Sequence, residues 1–120
     1  MKTQLTLAQS DYLIARGMDP ELASVHGLDY TNSAGLKVQQ RYFTLDDLCT
    51  LIPSTLPHRD SQTTMELRMT KRVNYWEVSY CTPTRVWTIQ TETELIDALY
   101  RTFAWGLETC RTTFLHRLRT

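Results

Sequence analysis

Little in this 120-residue chain is present in excess, and its shortages narrow the reading first. Four glycines and four prolines are too few for a collagenous or linker-like protein. The glycines stand far apart, at positions 17, 27, 35 and 106, so no phosphate-cradling loop is present. Three cysteines, Cys49, Cys81 and Cys110, neither complete a disulfide framework nor form the close pairs of a zinc site. They read as reduced, small apolar side chains, and neither metal nor other cofactor is expected. Charge of one sign is lacking too: 13 basic residues balance 13 acidic ones, which leaves no overall field to draw the chain to DNA, RNA or an anionic membrane. No apolar run approaches the ~20 residues that would span a bilayer. The opening ten residues lack the apolar stretch of about 7–15 residues of a secretory signal, so a cytoplasmic protein with no membrane partner is expected.

What remains is ordinary globular composition, 42% apolar and 22% charged. A chain of 14.0 kDa makes a single domain over residues 1–120 and buries about two-thirds of its extended surface, enough for a core without staples.

Helix punctuation comes early. Thr6 followed by Gln9 has capping-box spacing, and Gly17 supplies a left-handed exit, which predicts a helix from Leu7 to Arg16. Asp19-Pro20-Glu21 predicts a short helix from Pro20 to about His26, stopped by Gly27. Residues 28–42 carry no clear period, apart from a weak alternation at Leu36, Val38 and Gln40 that suits an edge strand. Thr44 and Asp47 repeat the capping logic, with Phe43 and Leu48 spaced as a hydrophobic staple, and Pro53 stops that helix. The polar stretch Ser54–Thr64 reads as a loop.

From Met65 the period becomes two. Met65, Leu67 and Met69 alternate with polar residues, as do Trp76, Val78 and Tyr80, and a third strand follows over Arg85–Gln90. Connections this short make an antiparallel meander. Thr91 with Glu94 then has capping-box spacing, and Ile96, Leu99, Phe103, Leu107, Cys110, Phe114 and Leu118 form one helical stripe. A straight helix to Leu118 would run about 40 Å, longer than a domain about 35 Å across. It must therefore kink, at Gly106 or at Thr112–Thr113, or let its end protrude. The expected fold is α+β: a three- to four-stranded antiparallel sheet covered on one face by a long C-terminal helix and short N-terminal helices.

Three blocks, TLAQSDYLIARGMDPELA from Thr6 to Ala23, FTLDDLCTLIP from Phe43 to Pro53, and LIDALYRTFAW from Leu95 to Trp105, occur in this order. As a set they resemble a family of small uncharacterised proteins of gut bacteria, their prophages and mobile elements. The resemblance covers most of residues 5–108 and implies a setting and a fold rather than a reaction. Family members usually stop soon after the block corresponding to Phe103–Leu107, whereas Glu108–Thr120 continues here.

Chemistry is harder to find. H-E-x-x-H, G-x-S-x-G and C-x-x-C are all missing. His26, His58 and His116 are the imidazoles that a cysteine nucleophile would need, but each has a structural reading, at a helix end, in a loop and in a basic tail. Asp46, Asp47, Glu94 and Asp97 fall in first turns, where the helix dipole favours carboxylates. The chain therefore reads as non-enzymatic. Two surfaces stand as candidates. The tail over residues 109–120 combines Arg111 with Phe114, Leu115 and Leu118, the pattern of a partner-docking or self-associating segment that the fold itself can spare. Alternatively Arg68, Lys71, Arg72, Tyr75 and Arg85 belong to one meander, which would let a sheet face stack bases and neutralise the phosphates of a single strand. Glu66 and Glu77 on the same strands weaken that alternative.

Overall fold

Side-chain caps fix where the first helices begin. In the computed structural model, which describes residues 1–58, 60 and 62–119, helix α1 spans Leu7–Ala15. Thr6 Oγ1 accepts from the Gln9 backbone and Gln9 Oε1 accepts from the Thr6 backbone, so two orphan donors are satisfied reciprocally. Gly17, at φ 120°, turns the chain out of α1. The expected second helix is absent. Asp19 caps only a 3-10 turn over Pro20–Leu22, because the chain from Val25 onward finds a strand partner instead. Strand β1 (Val25–Thr31) pairs antiparallel with β2 (Lys37–Tyr42). Gly27 thus lies within a strand rather than ending a helix, and a side chain there would collide with Gln40 and Tyr42.

Helix α2 (Leu45–Leu51) carries the predicted capping box of Thr44 and Asp47, and both staple residues, Phe43 and Leu48, are fully buried. Strand β3 (Thr55–Pro57) falls inside the stretch read as a loop. Its single large apolar residue, Leu56, stands opposite Met65, and both are buried, so tertiary pairing overrides a locally polar sequence. Strands β4 (Thr64–Lys71), β5 (Trp76–Cys81) and β6 (Val86–Glu92) complete the expected meander, giving a four-stranded antiparallel sheet in the order β3-β4-β5-β6. The fourth strand is β3, not the Leu36–Gln40 segment, which belongs to the separate β1–β2 sheet.

Helix α3 (Leu95–Thr109) covers β5 and β6 with Ile96, Leu99, Phe103 and Leu107, all fully buried beside Val78 and Tyr80. This is the predicted stripe. Its predicted cap is not made: Thr91 is in β6, while Glu94 accepts from the Lys2 backbone instead of closing a capping box. The fold is α+β, with the C-terminal helix packed on an antiparallel sheet.

The length conflict is resolved at Cys110, where φ −145° and ψ 51° break the helix before α4 (Arg111–His116). Neither Gly106 nor Thr112–Thr113 is the kink. The tail does not protrude. Phe114 is fully buried, its ring edge-on to Phe103 at 5.3 Å between centroids, and Leu115 and Leu118 pack against the core. Beyond α4, Arg119 donates from its backbone to Leu51 O, from Nε to Ile52 O and from its terminal nitrogen to Cys49 O, thereby satisfying carbonyls at the end of α2.

Candidate interaction surface

The two surfaces expected from sequence fare differently. In the tail, Phe114 faces the core, Leu115 reaches Gly17, and Arg111 donates to the Leu107 carbonyl within its own turn of chain. The apolar groups proposed for docking are therefore used inside the domain, which corrects the expectation that residues 109–120 are dispensable to the fold.

The five meander residues do not form one patch. Cross-strand partners share a face, so Arg68, paired with Ser79, lies on the outer face with Glu66 and Glu77, and Arg72 follows near Tyr75. Lys71, paired with Trp76, belongs to the opposite face, its Nζ 5.6 Å from the Trp76 ring centroid. Arg85 lies in the β5–β6 turn and reaches Asp60 at 3.4 Å. On the outer face Arg72 pairs with Glu77 at 3.1 Å, and Tyr75 donates to the same carboxylate at 3.5 Å. Two arginines facing two glutamates leave that face close to neutral.

The residues considered for nucleophilic chemistry are likewise dispersed. His26 touches Arg41, which also holds Glu21. His58 pairs with Asp60 and lies against the Trp87 ring at 4.7 Å. Burial pushes the Cys49 thiol up, away from the thiolate, and the Asp46 carboxylate pushes the same way. Gln62 N–H bonding, helped by Arg85, holds Asp60 below the usual carboxylate range. Asp47 completes a cap and also accepts from Ser24. Among the described residues, no three His, Cys, Asp or Glu side chains stand together as metal ligands would, and no helix is long and apolar enough to cross a membrane.

A shallow cleft of 380 Å³ lies between α1, α3 and β6, with Ala104 among the residues lining it and Tyr12, Tyr100 and Trp105 as aromatic walls. Tyr12 donates to Glu108, which also pairs with Arg16, and Arg16 lies over the Tyr12 ring at 3.3 Å. These bonds join the walls to one another.

Sequence reasoning placed an edge strand near Leu36–Gln40, most of which lies in β2, but missed β1 and the hairpin that the two strands make. From Ser24 to Tyr42 no residue is buried. Leu28 is 82% exposed and Leu36 64% exposed, whereas the described core residues are nearly all below 2%. The arm leaves the body beside α1, and its base is tied by the Glu21–Arg41 ion pair. Its tip is a turn in which Asn32 Oδ1 accepts from the Ala34 and Leu36 backbones, with Gly35 at φ 79°. The molecule is elongated in consequence: its radius of gyration is 15.1 Å, against about 14 Å for a compact chain of this length. The signal was present in Asn32-Ser33-Ala34-Gly35, a turn sequence between two polar stretches. It was obscured because the flanking strands bury no residue fully and so carry no strong alternation.

Compared with family models, with curated proteins and with solved structures, the chain matches none.

Proposed function

We propose that the protein is a non-enzymatic interaction protein, an accessory protein of a prophage or mobile element in the setting that its sequence resemblance implies, and that the β1–β2 hairpin is its partner-binding arm. The observation that carries this reading is an antiparallel arm held outside the core with two leucines in solvent. A lone two-stranded hairpin is marginal in water. Large exposed apolar groups on such an element add nothing to the fold of the monomer, and they suit burial against another protein. The arm takes the place of the C-terminal tail, whose apolar groups are already occupied.

The test is a matched capture from the source cell with the wild-type chain and with a Leu28→Ser/Leu36→Ser variant. Both positions are exposed, so the variant keeps its fold. A partner retained by the wild type and lost by the variant supports the arm; identical partners count against it.

Single-stranded nucleic-acid binding by the sheet face is the second reading. In its favour Arg68, Arg72 and Tyr75 lie on one open side of the sheet. Against it, Glu77 engages both Arg72 and Tyr75.

A further inference from the structure

The two edges of the four-stranded sheet are built differently. At one edge β3 has three residues, ends in Pro57 and touches α4. At the other, β6 has seven residues with neither Pro nor Lys nor Arg among them; its pairing with β5 is irregular at Trp87, and Thr88–Glu92 forms the regular edge. Among the described residues β6 pairs only with β5, and no backbone hydrogen bond from outside the sheet reaches Val86–Glu92. Edges of this length are usually shortened, covered or interrupted by Lys or Pro, because their free N–H and C=O groups recruit another strand. Here Val86 is 63% exposed and Ile89 51% exposed beside those free groups.

What could pair with this edge is indicated by α3. The cleft beside β6 is lined along the helix by Arg101, Ala104, Trp105 and Glu108. Arg101 and Glu108 are seven residues apart, about 10.5 Å along the axis, with the small Ala104 between them. Within one copy Arg101 reaches Glu92 at 3.5 Å and Glu108 pairs with Arg16 at 3.2 Å, solvent-exposed ion pairs worth little that crossed contacts would exchange. The helix runs antiparallel to β6: Trp87 meets Trp105 at 5.0 Å between centroids, and Gln90 accepts from Arg101 at 3.4 Å. A two-fold axis through the middle of β6 therefore passes close to the middle of this helical strip. Rotation about it brings Arg101 toward Glu108 of a second copy, and Glu108 toward Arg101, while β6 meets itself antiparallel near Ile89. Opposite charges placed on either side of one axis are self-complementary, as an isologous interface requires.

We propose that β6 is the seam of a homodimer, in which two sheets join edge to edge into one of eight strands and the two α3 strips face each other. Main-chain bonds would supply the pairing, and the crossed Arg101 and Glu108 contacts would set its register. This inference concerns a different surface from the arm and is independent of it.

Sedimentation equilibrium of the full chain tests it. The wild type is expected to pass from monomer to dimer as concentration rises through the micromolar range. Ile89→Lys sets two ammonium groups against each other at the seam and should raise the dimer Kd roughly tenfold or more; Val73→Lys, at an exposed turn away from the seam, should leave it unchanged. Arg101→Glu and Glu108→Arg should each weaken their own homodimer. An equimolar mixture of those two variants restores both crossed pairs and should dimerise as the wild type does, a rescue that a merely structural effect of either substitution would not give. A monomeric mass at every concentration, a Kd unmoved by Ile89→Lys, or a mixture no tighter than its components would each overturn the proposal.

Discussion

The ring of Phe114 fills the space in which a side chain at position 106 would begin. A Cβ added to Gly106 would overlap Phe114 ring carbons, so α4 folds beneath α3 only because residue 106 is glycine. Gly106→Ala raises intrinsic helix propensity by about 1 kcal/mol, but overpacking a full core costs about 1–3 kcal/mol. Net destabilisation is expected in urea unfolding. Because the two residues share one space, Gly106→Ala combined with Phe114→Leu should cost less than the sum of the single changes.

The reverse substitution empties the same site. Phe114→Ala removes a fully buried ring and should destabilise by about 3–5 kcal/mol. Deleting residues 109–120 should do at least as much, since it also strips Arg119 from the α2 carbonyls. A truncated chain that melts with the full one would show that the packing of α4 contributes little.

These two predictions show how far the sequence could be read. The stripe from Ile96 to Phe114 was visible because its period is helical, and every large member faces the core. Where the stripe turns back was not visible. A break at Cys110 depends on the fit of Phe114 under Gly106, a contact between residues eight apart that no local propensity encodes. The capping boxes at Thr6 and Thr44 were legible because each is complete within four residues, whereas the box expected at Thr91 gave way to strand pairing and to Lys2. Strand β3 and the hairpin lay beyond such signals for opposite reasons: Leu56 is buried by distant partners, while β1 and β2 are scarcely buried at all.

Tyr80 gives a pH signature. Its hydroxyl donates to Pro53 O at 2.6 Å in the core, and burial pushes its pKa well above that of a free tyrosine, with negative charge on Cys110 acting in the same direction and Arg119 opposing it. A tyrosine whose folded pKa is raised stabilises the native state fully below the unfolded value of about 10. That contribution is lost as pH rises through the folded value, so the chain should weaken steeply on the alkaline side. Tyr80→Phe should lower stability near neutrality by about 1 kcal/mol, the worth of one hydrogen bond, and should flatten the alkaline loss. Urea midpoints measured from neutral to alkaline pH check both effects.

The nucleic-acid reading has its own discriminator. With Arg72 held by Glu77 and Arg85 by Asp60, fluorescence anisotropy with a labelled single-stranded oligonucleotide should show no salt-dependent binding. A log–log salt slope of about −0.7 per neutralised phosphate, reduced when the two arginines of the outer face, Arg68 and Arg72, are changed to Gln, would install the sheet face as the working surface in place of the arm.

The most direct test of the proposed function is the matched capture, read by quantitative mass spectrometry with the circular dichroism of both proteins compared beforehand. The account predicts identical spectra and at least one protein strongly enriched by the wild type and absent with Leu28→Ser/Leu36→Ser. Equal enrichment of every captured protein by the two chains would contradict it.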